Sequence, residues 1–290
     1  MENMNGKEII VYARSIAPSL GKKERQVVKF ISNNYTEIPQ LSIGGLAEQL
    51  GISEAAITKA CKKLKCKGFY ELKHIMEEYI KSSGTIEKDQ DEAENFAEGD
   101  RPERILEKVF INSQVAIQDT LAGIDYSSFT KATWILGHAA RIALVGIGGS
   151  GILCQDFRHK LLKIGIVAIS FQDVNMQFMT SSILQKGDVI LGISHSGKTK
   201  TVIDVLQMAR NQGAKTICIT NHAMSPVTEV SDIVLCSSAQ NSPLTGENAS
   251  ARIAQLNILD ALYTTLALKY NKTSYSILQK TKDSVRSNKV

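Results

Sequence analysis

The chain of 290 residues lacks any apolar run of about 18 residues, the length that a membrane-crossing helix requires. Its start, MENMNGKEII, has no apolar h-region of the kind that marks a secretory signal. The expected compartment is the cytoplasm. Five cysteines, Cys61, Cys66, Cys154, Cys218 and Cys236, form no CxxC pair, and no histidine cluster accompanies them. Zinc is therefore not expected, and neither a metal nor a cofactor is implied by any motif. Cys218 and Cys236 lie in apolar, strand-like runs, as buried small hydrophobes do. Cys61 and Cys66 lie in a lysine-rich helical segment, which leaves two readings: reduced free thiols, or thiols whose pKa the lysines lower.

What is present is enough apolar residue, 43% of the chain, for two domains with cores, and an uneven spread of charge behind a net +5. Between Glu54 and Lys73, Lys59, Lys62, Lys63, Lys65, Lys67 and Lys73 face only Glu54 and Glu71. From Glu87 to Asp100 the polarity reverses, β-branched residues are absent and Phe96 is the only large apolar residue. That composition suits a solvated linker, so domains are expected at 1–83 and 103–290 with an acidic linker at 84–102.

Ahead of the linker the pattern is helical. Glu24 to Tyr35 carries Val27, Val28, Phe30 and Ile31 before a break at Pro39. Ser42 caps a short helix with Leu46, Ala47 and Leu50, Gly51 ends it, and Ser53 caps a further helix over 54–65 with the stripe Ala56, Ile57, Ala60 and Leu64. Helix, glycine turn and helix in LAEQLGISEAAITKACKKL form the helix-turn-helix signature, whose second helix enters the major groove. Ser53, Glu54, Ala55, Thr58, Lys59, Lys62 and Lys63 lie at its cap or away from its apolar stripe. The small and polar residues come first, where base edges are met, and the lysines follow, where phosphates are neutralised. A merely solvated lysine-rich face is the plainer alternative.

The second half carries two loops of one design. In VILGISHSGKT (189–199) an apolar strand runs into hydroxyls and Gly197, and then into a helix over 201–210 with Val202, Val205, Leu206 and Ala209. In RIALVGIGGSG (141–151) a strand runs into glycines and Ser150, and then into a helix with Phe157, Leu161 and Ile164. Unpaired amides at a helix start attract phosphate, although capping alone also places Ser and Thr there. GIGGSG matches the dinucleotide fingerprint only superficially, and Asp173, in range for a ribose contact, follows the strand VAISF as a helix cap. Strands are expected at 142–146, 166–171, 189–194, 216–220 and 233–236, with helices between them. The fold class is thus an all-helical helix-turn-helix domain followed by a doubly wound, five-stranded parallel sheet.

Together, SHSGKT, the glycine-serine loop and the segment SPLTGENASARIAQLNILDAL resemble the sugar isomerase (SIS) domain over roughly 103–290, whose members bind phosphosugars. With SIGGLAEQLGISEAAITKACKKL and KGFYELK in front, nearly the whole chain resembles the RpiR/MurR-type family of bacterial transcription regulators. The resemblance implies a DNA-binding repressor of sugar-use genes that responds to a sugar phosphate. PLTG and NASARIAQL are most similar to regulators of ribose or allose use, which implies an aldose 6-phosphate, with N-acetylamino sugar phosphates open. It further implies that Gly149, Ser150, Ser194, His195, Ser196 and Thr199 line the effector site and that the helices over 104–121 and 248–269 pack across a homodimer. Glu247, at the start of the second of these helices, is either a first-turn carboxylate or an acceptor from sugar hydroxyls. Arg252 and Gln255 on nearby turns are expected as pairing partners.

A sugar-phosphate isomerase or lyase is the rival reading. It requires a base and a ring-opening acid. SIS isomerases often carry glutamate where this chain has Lys198, His195 more simply orients a hydroxyl, and Glu247 alone is not enough. No catalytic residue is assigned. The polar, basic run after Thr273 is expected to fray.

Overall fold

The computed structural model describes residues 4–82, 95–239 and 249–286. They form two compact units, one of residues 1–123 with 222–224 and 238–246, the other of the remaining chain.

The first unit is helical: α1 (Gly6–Ile16), α2 (Lys22–Asn33), α3 (Ile43–Leu50), α4 (Glu54–Lys63), α5 (Phe69–Ser82) and α6 (Pro102–Gly123). α1 begins on a capping box in which Asn5 accepts from the Glu8 amide and Glu8 accepts from the Asn5 amide. Pro39 sits inside a short 3-10 turn, Ile38–Gln40. Ser42 and Ser53 cap α3 and α4 as the spacing predicts, and Gly51, at φ 63°, supplies the left-handed residue that ends α3. The core joins Ile57 and Leu64 of the expected stripe to Ile9, Ile16, Val28, Ile31, Leu46, Leu72 and Met76, all fully buried. Burial of each such side chain stabilises the unit by about 1.5–3 kcal/mol. Lys7 and Arg14 of α1 approach the buried Asp119 of α6 at 3.0 and 2.7 Å, so α6 packs with the helices that precede the acidic segment.

The second unit is layered. In order come α7 (Tyr126–Gly137), β1 (Ile142–Gly146), α8 (Gly149–Lys163), β2 (Ala168–Ser170), α9 (Val174–Ser182), β3 (Val189–Ile193), α10 (Lys200–Asn211), β4 (Lys215–Thr220), α11 (Pro226–Glu229), β5 (Ile233–Cys236), α12 (Ala249–Thr265) and α13 (Ser274–Ser284). Five parallel strands stand in the order β2-β1-β3-β4-β5. Alternate residues face opposite layers. Leu144, Leu191, Ile217 and Leu235 meet Phe157 of α8 and Leu259 of α12, while Val145, Ile190 and Cys218 meet Val205 and Leu206 of α10. Gly192 lets α10 approach: a Cβ there would stand 2.9 Å from Leu206 Cδ1. At the amino ends, Arg141 reaches the buried Asp188 with Nε 3.1 Å from each carboxylate oxygen, tying β1 to β3.

Two expectations are corrected. β2 is shorter than 166–171, because Gly165, at φ 85°, turns the chain and the Ile166 amide closes the end of α8 on the Leu161 carbonyl at 3.0 Å. The run after Thr273 is not frayed within the described residues. α13 lies on α8: Asn271 Nδ2 donates to the Ile164 carbonyl at 2.6 Å, Thr281 Oγ1 donates to the Lys163 carbonyl at 3.2 Å, and Ile277 packs on Gly165. Ahead of α13, α12 continues into a π-helical turn, Leu266–Tyr270.

Candidate functional site

β1 has β2 on one side and β3 on the other, so the chain leaves its carboxyl end in opposite directions. This is the topological switch point at which such sheets bind ligands. Gly146 pairs with Ile193, which sets the loops 147–150 and 194–199 side by side. Glycine is required in both. A Cβ on Gly146 would meet the Ser150 carbonyl at 2.9 Å, and a Cβ on Gly197, which lies at φ 65°, would run into the Ser225 side chain. α8 and α10 start here on Gly148 and Thr199, and neither cap gives a side chain to its helix amides. The first intrahelical bonds reach Ile152 and Ile203, so the three amides before each point outward at the positive ends of two helix dipoles.

The hydroxyls divide the work differently from the expectation. Ser194 is buried and donates its single proton to Thr199 Oγ1 at 3.0 Å. It therefore orients Thr199 instead of presenting its own proton, and Thr199 keeps its proton to give. Ser196 is exposed, and its Oγ accepts from the Lys198 amide at 3.2 Å, which also leaves the hydroxyl proton free to point outward. Gly149 and Ser150 are half-buried in the first turn of α8. His195 is half-buried, and its carbonyl accepts from the Asn221 amide at 3.0 Å and from the Thr220 hydroxyl at 3.3 Å, bracing the loop on the end of β4. Lys198 is exposed. Glu247 lies outside the described residues, as does the PLTGEN stretch. Gln255 is buried and donates to Ser237 Oγ at 3.3 Å, a structural pairing.

Gln177 was not visible in the sequence as part of this site. From α9 it donates to the Gly146 carbonyl at 3.1 Å and the Phe171 carbonyl at 2.9 Å, fixing where β1 ends. A buried glutamine on a helix of low amphipathicity leaves no periodic signal.

In the first unit α4 presents the expected face. Ser53, Glu54, Ala55, Lys59, Lys62 and Lys63 are exposed and Thr58 is half-buried, while Ile57, Ala60, Cys61 and Leu64 are buried. Two of these side chains have other duties: Ser53 caps the Ala56 amide, and Lys59 pairs with Glu24 of α2 at 2.7 Å. The exposed Lys67 and Tyr70 flank the start of α5. The lowered-thiol reading of Cys61 and Cys66 is overturned, because burial pushes them up to about 12 and about 11. Among the described residues, no group of three His, Cys, Asp or Glu side chains is placed to hold a metal, and no helix is long and apolar enough to cross a membrane.

Comparison with known proteins gives the same two parts. A helix-turn-helix domain of the rpiR family matches residues 4–83, and the SIS domain matches 135–265. The HTH-type transcriptional regulator RpiR of Escherichia coli strain K12 is 33% identical over 265 residues, covering 91% of this chain and 87% of that protein. This chain belongs to the RpiR family of transcriptional regulators. An uncharacterized HTH-type regulator of Caldanaerobacter subterraneus is 31% identical over 266 residues, covering 91% of this chain and 92% of that one. Among solved structures, the Vibrio vulnificus NanR protein complexed with ManNAc-6P matches with a TM-score of 0.61 at 24% identity, covering 97% of this chain and 99% of that one. The sugar isomerase domain of an RpiR transcription factor from Sphaerobacter thermophilus matches with a TM-score of 0.57 at 19% identity, covering 62% of this chain and 98% of that one. The first likeness shows the fold of nearly the whole chain and the second that of its sheet-containing part.

Proposed function

We propose that this RpiR-family regulator is a cytoplasmic repressor of sugar-use genes whose switch point senses a sugar phosphate, with an aldose 6-phosphate as effector. The observation that carries the reading is the pair of helix starts at the β1/β3 switch point, both without side-chain caps, with the Ser196 and Thr199 hydroxyls in the loop that leads into the second. A phosphoryl group there accepts from the leading amides of α8 and α10 and from Ser150, Ser196 and Thr199, with Gly149 allowing close approach. Ser194 acts through Thr199, His195 braces the loop, and Glu247 is assigned to the sugar hydroxyls. The functional parts are 1–83 for DNA, 84–102 as linker and 103–290 for effector.

Ser53, Glu54, Ala55 and Thr58 meet base edges, and Lys62 and Lys63 meet phosphates. Lys59, the exposed member of its pair with the half-buried Glu24, exchanges that carboxylate for a phosphate. Leu106, Phe110 and Leu121 are 61, 64 and 62% exposed along α6, an apolar stripe that supports a homodimer matched to a two-fold operator. A ligand that favours one arrangement of that dimer changes operator binding by its differential affinity for the two states.

Fluorescence anisotropy of DNA from the regulated promoter tests the reading. Allose 6-phosphate should release the DNA, and the Lys62→Gln/Lys63→Gln variant should bind more weakly with a salt slope lower by about two. Unchanged affinity under saturating sugar phosphate would defeat the sensor assignment. The named relatives are transcriptional regulators, and no proton-transfer role is assigned to any residue. ManNAc-6P, the ligand in the NanR complex, is the effector of second choice and belongs in the same assay.

A further inference from the structure

We propose that the second unit holds another ligand site, distinct from the switch point: a pocket for a flat aromatic molecule carrying one anionic group. A cavity of about 530 Å³ opens between α7, the amino ends of β4 and β5, and the π turn that ends at Tyr270. Its size falls within the range of small-molecule sites, about 300–1,000 Å³. Trp134, Ile135, Ile233 and Tyr270 form the apolar walls, and Lys131, Lys215 and Asp232 stand at its rim.

The aromatic wall is set in advance. Trp134, the only tryptophan of the chain, is 56% exposed and leaves part of its indole open to the cavity. Its indole stacks on His138 with centroids 4.6 Å apart, and His138 meets Tyr270 edge-on at 5.5 Å. His138 Nδ1 donates to the Trp134 carbonyl at 2.7 Å, which fixes the imidazole plane and through it both neighbours. Tyr270 closes a π-helical turn, an irregularity concentrated at functional positions. Flat rings held in this way stack on an aromatic ligand with little ordering cost.

Charge supplies the second requirement. The Asp232 carboxylate is already faced by the Thr216 amide at 3.0 Å, the Thr216 hydroxyl at 3.3 Å, Arg210 at 3.7 Å and Lys215 at 4.0 Å. The Asp125 carboxylate feels the charge of Lys131 but does not line the cavity. Cations therefore outnumber the single acid at the rim, which favours a carboxylate, sulfonate or phosphate on the ligand. β4 separates this rim from the switch-point loops by its length, about 17 Å at roughly 3.3 Å per residue, so one sugar phosphate does not span both. The site stands whether or not the switch point senses sugar.

The sole tryptophan makes the test direct. A ¹H–¹⁵N spectrum of the full chain shows one indole signal, and naphthalene-2-carboxylate should shift it saturably below about 1 mM. Naphthalene-2-carboxamide, and the carboxylate on a folded Lys131→Gln/Lys215→Gln variant, should bind at least about tenfold more weakly, because each loses a charge-assisted contact. Ribose 5-phosphate should leave the indole signal in place. Adenosine 5′-monophosphate in parallel tells a nucleotide from a simple ring acid: whichever anion binds more tightly names the source. Equal affinity for carboxylate and carboxamide, or for the Lys variant, would overturn the proposal, as would absence of saturation. An indole signal that moves on dilution without any probe would also overturn it, since a second copy of the chain would then cover the cavity.

Discussion

Five of the long helices begin on a side chain that closes the first turn: Asn5 at α1, Ser42 at α3, Ser53 at α4, Asp125 at α7 and Asp173 at α9. α8 and α10 begin on Gly148 and Thr199 with no such bond, and Thr199 turns its hydroxyl to Ser194 instead. The same residue types thus do two jobs. Where a helix start serves stability, its amides are satisfied from within. Where two starts meet at a switch point, they are left for a ligand. α2 also begins uncapped, on the exposed Gly21, but it has no second helix start placed beside it by paired strands. It is the pairing of β1 with β3 that turns open amides into a site.

The contrast breaks most sharply if Ser196→Ala/Thr199→Ala leaves effector affinity unchanged. Two hydrogen bonds to a charged group, each worth about 1.5–3 kcal/mol, predict a loss of at least about 100-fold by calorimetric titration, with a smaller fall in the melting temperature of the free protein because the buried Ser194 hydroxyl loses its acceptor. Gly146→Ala should act on both quantities. Its Cβ would push the Ser150 carbonyl from 2.9 Å, so about 1–3 kcal/mol of stability and most of the ligand affinity should go together in thermal unfolding and titration.

The Arg141–Asp188 pair at the far end of β1 and β3 sharpens the comparison through pH. Burial opposes ionisation of Asp188, but hydrogen bonds from Arg141 and the Gln185 amide outweigh it and hold the carboxyl below its ordinary range. A carboxyl with a depressed folded-state pKa contributes stability above its unfolded value, about pH 4, and loses it as pH falls through the folded value. Wild type should therefore lose more stability between neutral pH and about pH 3 than Asp188→Asn does, read from urea midpoints across that range. The smallest effect comes from the closed helix starts. Asp125→Ala and Asp173→Ala should each cost about 1 kcal/mol and leave effector affinity alone.

Much of this was legible in the sequence. All five strands and both helices of the helix-turn-helix announced themselves, because buried parallel strands are continuous apolar runs and Ser42, Gly51 and Ser53 punctuate the helices. α1 and α5 were not anticipated, since Ile9, Ile16, Leu72 and Met76 acquire meaning only from the core they complete. The end of the chain misled for a related reason: α13 is polar over most of its surface, and it is held by single contacts from Asn271, Ile277 and Thr281 to α8. At the switch point the hydroxyls were found but their roles were not. SHSGKT gives Ser194 and Ser196 equal standing, whereas the strand buries one and the turn exposes the other.

Thermal unfolding against ribose, allose, glucosamine and N-acetylmannosamine phosphates, each beside its free sugar and inorganic phosphate, tests the central claim most directly. At about 100-fold excess over its dissociation constant, the effector should stabilise the protein by about 2.7 kcal/mol, and Ser196→Ala/Thr199→Ala should abolish that shift. The account predicts one sugar phosphate that shifts the transition while its free sugar and phosphate do not. Equal shifts in wild type and variant, or none from any sugar phosphate, would contradict it.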